Sequence, residues 1–329
     1  MSPDPAHRQP KLGVVGATGA VGSQVADLLG TRAFDPSTIK LFASGAGASQ
    51  TVTVGSEEAL VEEFGAPADL SDLDAVILCG PPSVNAEVIR QRPCPIVISI
   101  DCFARESAGL ALVAPGLTSR ERLAELKSAG GFAVPHPAAY TIALVLGAID
   151  FQPDFIAATL MLGASSGGRR DVEELVHQST DLLNARLEED EDEPQRAFNI
   201  FAIGDDDALA DTIASQAAAL IGRPLKLALS VVHVPAFHGC ALSLHTATAP
   251  ANDDTAQWAS RLRSAPGLLL ADEEKGIRLT ESVGQEAILV RPRLTPAGAT
   301  ILCLFDNARL AALCAVWIAE TIVAGAELN

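Results

Sequence analysis

The chain has 329 residues, enough for two domains with separate cores, and 48% of them are hydrophobic against 19% charged, which excludes a disordered protein. Its 23 Lys and Arg stand against 41 Asp and Glu, and the formal charge of −18 repels phosphate backbones and anionic lipid, so no nucleic-acid or membrane-surface partner is expected. No apolar run reaches the about 18 residues of a membrane span. The opening "MSPDPAHRQPK" lacks a signal-peptide core, and the six cysteines show no C-x-x-C spacing, so a reducing, cytoplasmic location is expected. From Lys11 to about Ala133 short Val/Ile/Leu-rich segments alternate with helical ones. "KLGVVG", "IKLFAS", "AVILCG" and "PIVISID" read as buried strands, and "AVGSQVADLLGTRAF" and "TSRERLAELKSAG" as helices. Such alternation predicts an α/β domain built on a doubly wound parallel sheet.

The second half changes character. "FIAATLMLGAS", "LKLALSVVHVPAF", "CALSLHTATA", "AILVRPRLT" and "TILCLFD" read as longer strands, with helices at "RRDVEELVHQSTDLLNARL" and "ALADTIASQAAALIG". This predicts an α+β domain with a mostly antiparallel sheet. The closing "NARLAALCAVWIAETIVAG" is apolar on most faces and therefore expected to be buried, while "EEDEDE" (188–193) reads as a solvated acidic loop. The expected division is a Rossmann-type domain over 11–133, with 306–329 packing back on it, and an α+β domain over 134–305.

In "GVVGATGAVG", Gly16, Gly19 and Gly22 follow a strand and open a helix. Glycines suit that place because backbone N–H groups, here including those of Ala20 and Val21, must approach a pyrophosphate at the helix N-terminus. Thr18 adds a hydroxyl to the cradle. The second strand ends in "LFASGAGASQ", where Ser44 is followed by small residues with neither an acid for a ribose nor an arginine for a 2′-phosphate. NADP or NAD is therefore possible as cofactor, without the usual means of telling them apart. A tight strand–helix turn with no ligand is the alternative.

These residues resemble the aspartate-semialdehyde dehydrogenase family over nearly the whole chain. "VVGATGAVG", "LFASGAGAS", "ASSGGRRDVEELVHQ", "VHVPAFHGCALSLH" and "LFDNARLAALCAVWIAE" match its motifs in order, and "LLNARLEEDEDEPQRAFNIF" resembles its Usg-type branch. The resemblance implies a Rossmann-type domain plus an α+β dimerisation domain, a homodimer, and a phosphorylating, NADP-dependent reaction. In that reaction a cysteine thiolate attacks a carbonyl, a histidine moves the proton, a glutamine orients the substrate, and arginines with a lysine hold anions.

The matching positions here are different. The nucleophile motif corresponds to His136-Pro137-Ala138-Ala139-Tyr140-Thr141, with Ala139 in the place of the thiol. The substrate-binding arginine corresponds to His233 and the base to Cys240. The strand that should bear glutamine reads Leu160-Met161-Leu162, no lysine lies between Lys127 and Lys226, and the cofactor-phosphate arginine corresponds to Ala46. Arg105 in "DCFAR" is the surviving candidate for an anion contact. Loss of the family's own reaction is expected.

Among the remaining residues, Cys240 with His136 or His233 could form an ionised pair, or simply fill the space of a lost histidine. His238 is expected on an exposed loop, His177 and His245 in packing or surface roles, and His7 in a disordered tail. Arg169 and Arg170 either bind an anion at their helix start or pair with Asp171 or Glu173. No metal-ligand spacing and no G-x-S-x-G elbow occur. Three functions stay open: a catalytically degenerate homologue that acts by binding, an oxidoreductase on another aldehyde or acyl substrate, and a purely structural interaction protein.

Overall fold

The computed structural model describes residues 9–32, 34–101, 109–186, 194–248, 254–272 and 275–324. Arg105, His7 and the acidic run 188–193 lie outside the described residues. The chain forms two compact units, Met1–His136 with Ala311–Asn329, and Pro137–Leu310.

The first unit carries an eight-stranded sheet in the order β3-β4-β2-β1-β5-β6-β8-β7. Its strands are β1 (Leu12–Val15), β2 (Ile39–Ala43), β3 (Thr51–Val54), β4 (Glu57–Glu63), β5 (Ala75–Leu78), β6 (Ile96–Ser99), β7 (Ala111–Leu112) and β8 (Gly131–Ala133). All pair in parallel except the β3–β4 hairpin. β1, β5 and β6 are buried at every residue, which is why they read as unbroken apolar runs rather than alternating ones. Helices α1 (Ala20–Thr31), α2 (Pro82–Gln91) and α3 (Arg120–Leu126) make the connections. Strand order reverses between β1 and β5, and in such sheets ligands bind beyond the carboxyl ends of the strands at that point.

The second unit carries a six-stranded sheet in the order β10-β9-β11-β14-β13-β12. These are β9 (Ile156–Leu162), β10 (Leu227–His233), β11 (Cys240–Thr246), β12 (Leu268–Leu270), β13 (Ile288–Thr295) and β14 (Gly298–Phe305). The pairings β9–β11, β11–β14 and β13–β14 are antiparallel, and β9–β10 and β12–β13 are parallel. Helices α4 (Pro137–Ile149), α5 (Arg169–Leu183), α6 (Asp206–Ile221) and α7 (Thr255–Ser264) complete it. α6 lies on β10 and α7 on β12 and β13, with α4 packed against both helices. Helix α8 (Asn307–Ala319) begins in this unit, and its Leu310, Ala312, Cys314, Ala315, Val316 and Ile318 are all buried.

One face of that sheet is buried, and the other is covered only at its β13–β14 end, where Leu289 and Leu304 pack with Ala271, Ile277 and Leu279. Leu160, Leu242, Leu244, Ile301 and Cys303 face inward, while Thr159, Met161, Ala241, Ser243 and Leu302 on the other face stay half-exposed. Register puts Ser230, Thr159, Ser243, Leu302 and Arg291 in one row across five strands. A short segment extends this sheet at β10, since Phe201 and His233 exchange two main-chain hydrogen bonds of 3.3 and 2.8 Å. The Phe201 ring stacks on that of His233, which reaches Asp206 of α6, and the neighbouring Ile200 is 65% exposed. Phe198, 68% exposed, is held at φ +56°, a region a bulky side chain rarely adopts.

Candidate active site

In the first unit the chain leaves β1 through a turn that only glycine can make. Gly16 has φ +85°, and a Cβ on it would stand 2.7 Å from the backbone of Cys79 and Gly80 beyond β5. Its N–H and that of Ala17 both donate to the Phe42 carbonyl of β2, at 2.8 and 3.0 Å. A Cβ on Gly22 would run into the Gly16 carbonyl, so these two glycines are required by the loop itself. Gly19 is different. It caps α1 with φ −74°, and a Cβ there would meet only the Gly16 oxygen, at 3.3 Å. The missing side chain leaves open the space in front of α1, where Ala20, Val21 and Gly22 carry the helix's first N–H groups. No acidic residue stands in that first turn to compete for them. The loop after β2 closes one side: Gly47 lies so near Thr18 that a Cβ on it would be 2.7 Å from the Thr18 hydroxyl, while Ser44 is exposed. The residues fit a dinucleotide pyrophosphate at the helix end, with Thr18 beside it and Ser44 toward the ribose.

In the second unit α4 starts at Pro137, whose fixed φ suits a first helical position. Ala138, Ala139 and Thr141 are fully buried, and the Thr141 hydroxyl donates to the Pro137 carbonyl at 2.8 Å. Ala139 therefore presents a methyl group to a packed interior. His136, the last residue of the first unit, has its imidazolium disfavoured by burial, down to about 4.

Two loops at the end of the second sheet are joined main chain to main chain. Gly163 N–H donates to the Gly239 carbonyl (3.2 Å), Ala164 to Ala236 (2.8 Å) and Ser165 to Phe237 (3.0 Å). Gly239, at φ +84°, turns Cys240 into the interior while His238 remains outside. The Cys240 thiol lies 3.3 Å from the Ser166 hydroxyl, and burial pushes it up to about 11. His233 Nε2 lies 3.2 Å from Asp206 Oδ1, and the other oxygen of Asp206 accepts from the Ile203 N–H at 2.8 Å. Arg196 stands over the Phe201 ring and pairs with Asp171 at 2.9 Å.

Cys240 has the Ser166 hydroxyl as a neighbour, and His233 has Asp206. Arg169 pairs with Glu173 at 2.7 Å and is 75% exposed, the ordinary surface alternative. His177 meets Asp181 at 3.0 Å on α5, and His245 meets Ser243 at 2.9 Å on the open sheet face. The five described cysteines are free thiols, and among the described residues no three His, Cys, Asp or Glu side chains gather as a metal site would require.

Sequence reasoning missed Asp206, Ser166, Phe201 and Arg196. At about pH 7.5 roughly one Cys240 in a few thousand is a thiolate. Iodoacetamide is accordingly expected to spare Cys240 in the native protein and to label it after denaturation, as read by peptide mass spectrometry; rapid native labelling would show an ionised thiol.

Residues 11–113 match the family described as semialdehyde dehydrogenase, NAD binding domain. A USG-1 protein homolog from Azotobacter vinelandii is 29% identical over 332 residues, covering 95% of this chain and 97% of that protein. A probable aspartate-semialdehyde dehydrogenase from Pseudomonas aeruginosa superposes with a TM-score of 0.80 at 28% identity, over 96% of this chain and 99% of the other. Aspartate semialdehyde dehydrogenase II from Vibrio cholerae has the same fold, with a TM-score of 0.85 at 24% identity over 96% and 99% of the two chains. No helix among the described residues is long and apolar enough to cross a membrane. With the ordered motifs, the two sheets and these relatives together, the chain is similar to aspartate-semialdehyde dehydrogenases and USG-1 proteins over nearly its whole length, and its residues 11–113 match the semialdehyde dehydrogenase NAD binding domain.

Proposed function

We propose that this protein is a catalytically degenerate member of its family, which keeps a dinucleotide site and a dimeric frame, has lost the phosphorylating dehydrogenase reaction, and acts by binding. One observation carries the reading: a fully buried alanine methyl, Ala139, occupies the position the family resemblance gives to the nucleophile. Three others support it. Cys240, in the place of the base, is a buried neutral thiol held beside Ser166. His233, in the place of a substrate-binding arginine, is taken up by Asp206 and Phe201. The end of β9 offers apolar Leu160 and Leu162 instead of an amide.

The proposed division of labour follows the two halves of the chain. Residues 11–133 with 306–329 hold the nucleotide, and residues 134–305 form the dimerisation domain. Gly16, Gly19 and Gly22 bring the main chain close to the pyrophosphate, Ala20 and Val21 direct N–H groups at it, Thr18 adds a hydroxyl, and Ser44 faces the ribose. A bound nicotinamide supplies hydride chemistry. The chain's own residues, in this reading, orient it without providing a nucleophile or proton carrier. The open sheet face, together with the exposed Ile200, is the proposed contact with a second copy, and the cytoplasm the proposed location.

Titration of the purified protein with NADH, followed by nucleotide fluorescence, tests the binding half. Saturable binding is expected, weakened at least tenfold by Gly19→Val, whose side chain fills the space before α1 while meeting only the Gly16 oxygen. A flat titration of the unmodified protein would point to an interaction protein whose glycine loop is a relic.

A further inference from the structure

We infer that the adenosine end of the dinucleotide site is read without charge, so that cofactors with and without a 2′-phosphate bind almost equally, and that Gly45, next to Ala46 in the place the resemblance gives to the cofactor-phosphate arginine, is a position at which a charged side chain would restore the choice. The inference deepens the nucleotide-binding proposal and rests on it.

Discrimination at this end of a Rossmann-type site normally comes from the loop after the second strand. A carboxylate there accepts from the ribose 2′-hydroxyl, or an arginine pairs with the 2′-phosphate. In this chain the corresponding stretch, residues 41–56, contains no charged side chain at all. The nearest cation in sequence, Lys40, is engaged elsewhere, with its ammonium 3.1 Å from Asp72.

The structure adds which glycine of this loop has room for a side chain. Ser44 is exposed and extended at the end of β2, and residues 45–47 form a single tight turn closed by the Gly47 N–H on the Ser44 carbonyl at 2.7 Å. Gly47 cannot carry a side chain, because its Cβ would stand 2.7 Å from the Thr18 hydroxyl and 2.9 Å from the Ala43 Cβ. That closure seats the turn against the glycine loop and brings it within reach of the same ligand. Gly45 has the opposite surroundings: a Cβ there meets nothing within 4 Å, and its φ is not positive. A side chain at residue 45 is thus sterically free and on unstrained backbone, next to Ser44, the residue proposed to face the ribose.

The net charge of −18 gives the small residual preference its sign. A 2′-phosphate adds about −1.5 to −2 charges. General repulsion, screened over about 8 Å at physiological salt, then works weakly against it. NAD is therefore expected to bind equally to or slightly better than NADP, by threefold at most, with the difference widening at low salt.

Calorimetric titration of the full chain with NAD⁺ and NADP⁺, repeated on Gly45→Arg, Gly45→Asp and the uncharged Gly45→Ser, tests this. The expected result is a Kd ratio within about threefold for the unmodified protein and for Gly45→Ser. Gly45→Arg should shift the ratio at least tenfold toward NADP⁺, and Gly45→Asp at least tenfold toward NAD⁺. Thermal unfolding checks that each variant is folded. A ratio beyond tenfold in the unmodified protein, or the same ratio in the arginine and aspartate variants, overturns the inference while leaving nucleotide binding intact. No binding of either cofactor overturns the nucleotide reading itself, and this inference with it.

Discussion

Replacing Ala139 by cysteine is expected to leave the protein without phosphorylating semialdehyde dehydrogenase turnover. A cysteine in the first turn of α4 would gain some acidity from the helix N-terminus. A thiolate alone is not the reaction, however. A positioned proton carrier is worth about 10²–10⁴ in rate. Here the residue in its place, Cys240, is a buried thiol pushed up to about 11, which neither takes nor gives a proton at neutral pH. Substrate orientation fails separately, because His233 is bound to Asp206 and Leu160 and Leu162 offer no hydrogen bond. Catalytic groups that act as a unit contribute non-additively, so restoring one returns little. Ala139→Cys and Ala139→Cys/Cys240→His should both stay below about one-thousandth of an active relative's rate, by NADPH formation from aspartate semialdehyde and phosphate. The extra sulfur at a fully buried site also costs about 1–3 kcal/mol of overpacking, visible as a lower melting temperature. Turnover by the single variant near that of an active relative would refute the account of a dismantled site.

Thr159→Arg is expected to turn the proposed dimer into a monomer. Thr159 lies mid-row on the open sheet face, between Ser230 and Ser243. Five strands about 4.8 Å apart and three rows about 6.8 Å apart make a plate of roughly 20 by 20 Å. That is about half of the roughly 800 Å² per partner of a standard stable interface, and the exposed Ile200 and Phe198 side chains add to it. An arginine at Thr159 must be desolvated among Ser230, Ser243 and Met161 and adds to the positive charge of Arg291 and Arg293 on the same face, at a cost of several kcal/mol for each buried unpaired charge. Size-exclusion chromatography with light scattering at micromolar concentration should give twice the chain mass for the unmodified protein and for Thr159→Ser, and a single chain for Thr159→Arg. A monomeric unmodified protein, or an arginine variant that remains dimeric, would remove this face from the interface.

What the sequence made legible was local. The glycine loop could be read because three glycines between a strand and a helix leave little choice of backbone, and β1, β5 and β6 because buried parallel strands are apolar throughout. The β3–β4 hairpin went unread, although Gly55 at φ +64° marks its turn. Its exposed, alternating residues carry less apolar signal than the central strands. Helix α2 was also missed, with Pro82 at its start and only Asn85, Val88 and Ile89 buried. At the site the reason is separation along the chain. His233 meets a partner 27 residues away and Cys240 one 74 residues away, and no periodicity links such pairs. Around Pro235 the strand alternation breaks, so which of His238 and Cys240 turns inward was decided by Gly239 and not by pattern.

The three main-chain bonds joining residues 163–165 to residues 236–239 have a consequence for how such a protein changes over time. Their donors and acceptors belong to the peptide groups, which most substitutions leave in place. A lineage can therefore exchange a histidine for Cys240 or an arginine for His233 and still inherit the same scaffold at the mouth of the sheet. Geometry of this kind does not depend on the chemistry carried on it, and a designer wishing to install a new reaction would find the floor already laid.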